Sequence, residues 1–391
     1  METDVLIIGA GPAGCFTGKI LAEHGLKVTI VEEHAEVGKP ACCTGIVGLS
    51  GLRELGIKPG KWVLGRLRGA KIYPPSNNSI KLTRGKVEAL VVDREKFDRS
   101  LADAAVKAGA DLLLGRRCVD LDFNDTPLIE TQDGVKLKAR VVIGADGPHS
   151  IVARKLGLLV SSKYVKCAQV ETEADVDRDV AEIYLNKSFS PGFFGWMVKA
   201  GKVARVGLGT AAGNPVRLLR SFLSEHPVVS GKVGKVVHNR CTGVIPECMS
   251  RRIHKGTVLL VGDAAGQVKP LTGGGIYIGL CCAKLAAETV IRAFESGRMR
   301  DLESYPGAVM KKFGSEFRVG MRVKKLFDQM SNEDLNFLST FLIQDEVREI
   351  VLKNFDFDHH EKVISALVAR APEVLKSIGI RRALKYIKFL T

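Results

Sequence analysis

The sequence predicts an α/β chain: a parallel sheet covered by helices, a second domain of mixed β-sheet, and a helical C-terminal extension. Three observations carry this. A strand–glycine turn–helix–strand unit fills the first forty-five residues. Short alternating segments with turn signals occupy residues 165–210. A basic, helix-patterned tail runs over 298–391.

The opening unit sets the rest. Residues 5–8 read as a strand, Gly9-Ala10-Gly11-Pro12-Ala13-Gly14 as a turn opening an amphipathic helix to about His24, and 28–31 as a second strand ending at Glu32. In G-x-G-x-x-G, Gly9 permits the tight turn, Gly11 lets a pyrophosphate approach the backbone, and Gly14 lets helix and strand pack closely. The helix N-terminus favours negative charge. Glu32, 18 positions after Gly14, is placed to accept hydrogen bonds from a ribose diol. After it comes the loop 37–45, Val-Gly-Lys-Pro-Ala-Cys-Cys-Thr-Gly, dense in glycine, proline and thiol. A loop leaving the second strand passes close to a bound dinucleotide. Cys42 and Cys43 are therefore either functional thiols or two packed cysteines.

Residues 60–92 read as short strands and turns, with a turn cluster at Pro74–Asn78. A helix over 94–108 places Phe97, Leu101, Ala104 and Ala105 on one face. Strand 112–114 follows, then a hairpin turning at Gln132-Asp133-Gly134. The hairpin delivers an apolar strand into Gly144-Ala145-Asp146-Gly147, where the acid anchors a local turn or binds a hydroxyl.

Strands are expected at 167–172, 181–185, 195–198 and 204–209. Among them Phe193, Phe194 and Trp196 either line an apolar cavity or form sheet core. A helix over 216–225 and a variable stretch lead to strand 257–261, then Gly262-Asp263-Ala264-Ala265-Gly266 and Gly273-Gly274-Gly275 opening a long helix to about Glu295. Again a strand ends in an acid and glycines open a helix.

At 391 residues, 46% hydrophobic and 26% charged, the chain can bury a large core as a soluble protein. No uncharged apolar run reaches the roughly 18–20 residues of a membrane span. The first strand starts at the N-terminus, which leaves no room for a signal peptide, so a cytoplasmic protein is expected. The net charge of +15 suits an anionic membrane surface or an acidic partner. Only 6% of residues are aromatic and none interleaves with basic residues as in an RNA-binding motif, so no nucleic-acid partner is expected. None of the nine cysteines forms a C-x-x-C pair, which speaks against zinc ribbons and cluster loops, and no metal is expected. None lies beyond Cys282, so the tail cannot ligate an iron–sulfur cluster. In that tail Lys311, Lys312, Arg318, Arg322, Lys324 and Lys325 crowd one segment. Arg381, Arg382, Lys385 and Lys388 crowd another, which suits either an anionic membrane or a solvated helix face.

Three cofactor-type motifs in order, near residues 9, 144 and 262, distinguish an FAD site from an NAD site, which needs only the first. The order resembles the FAD-binding Rossmann-like fold of the glutathione-reductase and aromatic-hydroxylase type. More closely, residues 1 to about 330 resemble the geranylgeranyl reductase family, especially the archaeal digeranylgeranylglycerophospholipid reductases that saturate isoprenoid chains of membrane lipids. That resemblance implies an FAD domain at 1–70, 94–160 and 250–297, a substrate domain at 71–93 and 161–249, and a C-terminal region at 298–391. It places Gly9, Gly11, Pro12, Ala13, Gly14, Glu32 and Glu33 at the ADP half of FAD. Arg94, in Asp-Arg-x-x-Phe-Asp, contacts the cofactor, together with Gly45 and Asp146. Gly262 and Asp263 hold the ribitol–pyrophosphate region, and Gly273, Gly274, Gly275 and Ile276 border the flavin ring.

Cys43 matches a loop cysteine that the family places near the flavin and the reacting alkene, and is the candidate proton donor. Pro191, Phe194 and Trp196 match the family's substrate motif Pro-x-x-Tyr-x-Trp-x-Phe-Pro. Phe194, Val198 and Lys199 depart from its Tyr, Phe and Pro, so a tyrosine hydroxyl is lost. The implied partners are an isoprenoid lipid substrate, an external donor (NAD(P)H, reduced deazaflavin or ferredoxin) and the inner face of the cell membrane as a peripheral site. Two alternatives share the fold: an electron-transfer dehydrogenase to quinone, and a flavin monooxygenase or halogenase.

Overall fold

The Glu2–Ile8 strand lies inside a parallel sheet because its neighbours on both sides are equally apolar. A computed structural model of the chain describes residues 1–123, 126–158, 163–250 and 252–369. In it the strand order is His254–Lys255, Val258–Leu260, Lys136–Gly144, Glu2–Ile8, Val28–Val31 and Asp111–Leu113. All but the first of these run parallel. Val5 pairs with both Val28 and Val141, and Ile8 with Val31 and Gly144. Val5, Leu6 and Ile7 have no accessible surface. Strands buried on both faces read as continuous apolar runs, and each such side chain contributes about 1.5–3 kcal/mol by leaving water. Leu128–Thr131 and Cys118–Asp122 extend the sheet antiparallel through the hairpin at Asp133-Gly134.

The Pro12–Glu23 helix packs against the Arg94–Lys107 and Ile276–Ser296 helices. Gly18 makes close helix–sheet packing possible, since a Cβ there would come within 2.7 Å of Ile30 Cδ1. These elements form one compact unit: Met1–Ala41, Arg94–Lys163 and Pro246–Gly314.

The second unit comprises Cys42–Asp93, Tyr164–Ile245 and the chain from Ser315. Its main sheet has the order Val233–Pro246, Tyr164–Ala174, Val203–Thr210, Gly195–Ala200, Val180–Tyr184, Gly69–Tyr73 and Ile80–Thr83. It is mixed, because Val180–Tyr184 pairs parallel with Gly69–Tyr73 while its neighbours pair antiparallel. One core packs Tyr73, Tyr184 and Val206 with Leu219 and Phe222 of the Pro215–Glu225 helix. Asn214 caps that helix through Val216 and Arg217 N–H, and Pro215 occupies its first turn, where a missing N–H costs nothing. A smaller antiparallel sheet joins Ile46–Gly48, Ala89–Val92 and Val63–Leu67.

The variable stretch before residue 250 turned out to hold the Val233–Pro246 strand at the sheet edge. Its alternation is broken by Gly234, Gly243 and the exposed pair Val236 and Val237, so no period-2 signal survives.

The tail is helical as far as it is described. Tyr305–Gln329 begins in the first unit and ends in the second, followed by Asn332–Leu342, Asp345–Asn354 and His360–Ala369. Ser331 and Asp334 form a capping box at the second of these. Asp358 reaches back to the short Leu49–Glu54 helix, accepting Gly51 N–H at 3.0 Å. The basic run around Arg381, Arg382, Lys385 and Lys388 lies outside the described residues.

Candidate active site

In the first unit the glycine turn takes the conformation its spacing requires. Gly9 has φ +102°, and a Cβ there would overlap the Ala145 carbonyl; one at Gly14 would overlap the carbonyl of Gly9. At Gly11 the built Cβ meets no atom within 4 Å. Gly9 and Gly14 are thus glycines for packing, whereas the space beside Gly11 is open. Gly11 also precedes the Pro12–Glu23 helix without a side-chain cap, so the first-turn N–H groups face that space. Gly11, Pro12 and Ala13 are partly accessible.

Glu32 closes the turn from the other side. Its Oε2 accepts Ala10 N–H at 2.8 Å and its Oε1 accepts His34 N–H at 3.0 Å. The His34 ring Nδ1 also lies 2.6 Å from Oε1, so of the carboxylate's about four lone-pair positions one, on Oε2, remains for a ribose hydroxyl. Glu33 points instead to solvent and pairs with Arg117 at 3.5 Å.

Two further strand ends meet this turn. Gly144 ends its strand beside Ile8 and Leu260. Asp146, just beyond, accepts Ser150 Oγ–H at 2.6 Å and Ile151 N–H at 2.7 Å, and so anchors the Ile151–Lys155 helix. Burial raises its carboxyl above the ordinary range, against the hydrogen bonds that lower it. Gly262 and Asp263 form a single 3-10 turn, with Gly262 at φ +64° and 3.2 Å left between its built Cβ and Ala13. Protein atoms ring Asp263 but one edge stays accessible. Desolvation lifts its carboxyl and the Arg94 guanidinium pulls it back. Arg94 itself is held by a bidentate pair to Asp98, at 2.9 and 2.8 Å.

Gly273, Gly274, Gly275 and Ile276 form a partly accessible run at the mouth of the 21-residue Ile276–Ser296 helix, which has no side-chain cap. A Cβ at Gly275 would lie 3.0 Å from Asp263 Oδ1, and one at Gly274 2.7 Å from Lys269 Cε. The turn rests on a buried relay. Gln267 accepts Gly262 N–H at 2.7 Å and donates to Tyr305 Oη at 2.9 Å, and Tyr305 donates to the Leu260 carbonyl at 3.0 Å. Neither Gln267 nor Tyr305 has accessible surface.

In the second unit, Cys42–Gly45 forms a loop fixed at every residue. Cys42 is joined to Cys241 by a disulfide. Cys43 is a free, half-buried thiol whose Sγ accepts Gly45 N–H at 3.3 Å. Thr44 donates to Gln169 Oε1 at 3.2 Å, the atom that also accepts Trp196 Nε1–H at 3.0 Å. Arg205, nearly buried and paired with Glu171 at 2.9 Å, donates to the Thr44 and Val92 carbonyls, both at 2.9 Å. Gly45 has φ +75° and stands against Val92 and Arg205, so its glycine serves this packing.

Trp196 and Phe193 pack with Val165 and Cys167 on the sheet, and Gly207 and Gly209 make room for the two rings. Phe194 stacks on Phe193 with centroids 4.2 Å apart and keeps an accessible face. Pro191, partly accessible, accepts Ala211 N–H at 2.8 Å.

The structure thus gathers Gly9, Gly11, Pro12, Ala13, Gly14, Glu32, Asp263 and Arg94 in the first unit, with the Gly273–Gly275 run. Cys43, Gly45, Pro191, Phe194 and Trp196 lie in the second. Sequence reading missed Gln267, Tyr305, Gln169, Arg205 and the Cys241 partner, none of which belongs to a local motif.

The first group fits a flavin dinucleotide: open space at Gly11, two uncapped helix N-termini, an acid on the glycine turn, and a buried acid beside an arginine. Comparison with known proteins agrees. The FAD binding domain family matches residues 2–206. The chain is 35% identical to digeranylgeranylglycerophospholipid reductase 2 of Methanopyrus kandleri, covering 96% of this chain and 98% of that one. It is 32% identical to the digeranylgeranylglycerophospholipid reductase of Methanothrix thermoacetophila, over 90% and 94% of the two chains. A solved geranylgeranyl bacteriochlorophyll reductase-like protein from Thermoplasma acidophilum superposes with a TM-score of 0.84 at 26% identity, over 96% and 98% of the chains.

Proposed function

The chain belongs to the digeranylgeranylglycerophospholipid reductase family and carries its FAD binding domain, and from that premise we propose that it saturates isolated C=C bonds in the geranylgeranyl chains of a glycerophospholipid. The observation that carries the reading is end-to-end relatedness: more than nine-tenths of both chains align at 35% identity. A shared FAD domain alone would leave the substrate open.

FAD, when bound and reduced, supplies a hydride equivalent. The chain's own residues do the rest. The first-turn N–H groups of the Pro12–Glu23 helix would bind the pyrophosphate, and Glu32 would accept a hydrogen bond from the adenosine ribose. Asp263 and Arg94 hold the ribitol side. With FAD bound, the uncapped N-terminus of the Ile276–Ser296 helix would favour negative charge on the cofactor through its positive dipole end. An isolated alkene has no carbonyl to absorb charge, so a proton must arrive at the second carbon as the first is attacked. Cys43, or a water it orients, donates it. Pro191 and Phe194, both partly accessible, would contact the isoprenoid chain, and Trp196 supports them from the sheet core. Gly45 and Asp146 act by shaping the backbone around these groups.

Electrons come from an external donor: NAD(P)H, reduced deazaflavin or ferredoxin. The protein works in the cytoplasm as a peripheral protein on the inner face of the membrane, where its lipid resides. Among the described residues no helix is long and apolar enough to cross a membrane. Arg318, Arg322 and Lys325, spaced on one exposed helix face, favour an anionic surface by about 1 kcal/mol each when close to it.

The test is anaerobic. The protein is reduced with dithionite, given a digeranylgeranyl glycerophospholipid, and followed by lipid mass and flavin spectrum together. Gain of two hydrogens per double bond with flavin reoxidation is expected, and Cys43→Ser should slow it. Flavin that ignores the lipid yet reoxidises with a quinone, lipid mass unchanged, would turn the assignment to electron transfer.

A further inference from the structure

Cys43 sits next to a disulfide that binds its loop to a distant strand. Cys42 and Cys241 are 199 residues apart in sequence, with Cα atoms 5.6 Å apart, and both are partly accessible. Gly243 stands beside the bridge, with 3.8 Å between its built Cβ and Cys42 Sγ. The remaining restraints act on the other side of Cys43. Arg205 holds the Thr44 carbonyl, Thr44 Oγ holds Gln169, and the Gly45 amide donates to the Cys43 sulfur. On the Cys43 carbonyl itself the Gln169 amide acts at 3.4 Å, a long and weak bond. Among the described residues, the bridge is therefore the restraint that holds the N-terminal side of the thiol.

We infer that the Cys42–Cys241 disulfide is a positioning element for the Cys43 thiol, and that a dithiol reductant switches it by releasing the loop. A thiolate of the dithiol attacks one sulfur of the bridge, and the other sulfur leaves as thiolate and takes a proton. The reagent's second thiol then displaces the mixed disulfide and closes the reagent's own ring. Two electrons and two protons pass to Cys42 and Cys241, and no bond of Cys43 changes. The loop loses its covalent anchor on the N-terminal side of the thiol, so the thiol's geometry loosens while the sheet that carries Trp196 and Gln169 stays hydrogen-bonded.

The turnover arm of the test rests on the proposed function; the labelling arm does not. The full-length protein, purified without reductant, is alkylated with iodoacetamide and mapped by mass spectrometry. Cys43 should label while Cys42 and Cys241 do not. After dithiothreitol under native conditions and its removal, all three should label, Cys43 several-fold faster than before. Lipid turnover should fall in kcat with KM little changed, and reoxidation with diamide should restore it. The Cys42→Ser/Cys241→Ser pair should match the reduced protein and ignore both reagents. Labelling of Cys42 and Cys241 without reductant would overturn the inference. So would an opened bridge with Cys43 labelling unchanged, or with turnover unchanged. A protein inert toward the lipid in both states would instead sink the proposed function, and the Cys43 labelling rate would still decide the clamp.

Discussion

Replacing Gln267 tests whether the Gly262–Ala265 turn depends on a relay that no motif contains. Gln267→Leu keeps the size and removes both polar atoms. The Gly262 N–H, now paired at 2.7 Å, is left buried without an acceptor, and Tyr305 loses a donor while keeping its own bond to Leu260. An orphaned buried donor costs about 1–3 kcal/mol, and a lost neutral hydrogen bond about 0.5–1.5 kcal/mol. The sum is about 1.5–4.5 kcal/mol. For a unit of this size each kcal/mol lowers the melting temperature by about 2–4 °C, so a fall of roughly 3–18 °C is expected in cofactor-free protein. Because Asp263 follows Gly262 directly, FAD affinity should fall as well, by about tenfold for each 1.4 kcal/mol of turn distortion. Scanning calorimetry and flavin-fluorescence titration read the two effects. Adding Tyr305→Phe should cost less than its effect in the parent, because the two side chains share one bond. A Gln267→Leu protein that melts with the parent and binds FAD as tightly would refute the relay.

Three further outcomes are expected. Gly14→Ala should prevent stable folding or FAD retention, because its Cβ overlaps the Gly9 carbonyl, whereas Gly11→Ala should melt like the parent and bind FAD at least about tenfold more weakly. Melting curves beside bound-flavin absorbance separate the two. Asp263 has its carboxyl raised above 3.8 by burial, so the native state holds a proton that the unfolded chain has released just above that pH. Stability of cofactor-free protein must then fall as pH rises through that window, and Asp263→Asn should flatten the fall, leaving Asp146's contribution of the same sign; urea midpoints across the acid range measure it. His226, buried against Tyr184 and Phe222 and held neutral down to about pH 4, stays unprotonated in the fold while the unfolded chain protonates below 6.5. Acidifying from 6.5 to about 4 should therefore remove about 3 kcal/mol, at 1.36 kcal/mol per pH unit, and His226→Gln should abolish this share.

What the sequence determined by itself is what local chemistry can encode. The Gly9–Gly14 turn was legible because positive φ, close packing and an uncapped helix start are requirements of neighbouring residues, and Glu32 follows at fixed distance in the same unit. The strands of both sheets were legible where burial imposes period 2 or an unbroken apolar run, and Val233–Pro246 was not, because an edge strand with glycines and exposed valines carries neither. Asp146 was legible as an acid after a strand, but its engagement with Ser150 and Ile151 needed coordinates.

The supports of the site belong to the tertiary structure alone. Tyr305 meets Gln267 across 38 residues, Gln169 meets Cys43 across 126, and Cys241 meets Cys42 across 199. In sequence each is an ordinary glutamine, tyrosine or cysteine without period or spacing to mark it. They acquire a role only when buried backbone N–H and C=O groups, or a second sulfur, are brought within bonding distance by strands and helices folded for other reasons. Motifs name the groups that touch the cofactor because such contacts need fixed backbone geometry. The side chains that hold those motifs in place need only reach them, and many positions in a chain can do that.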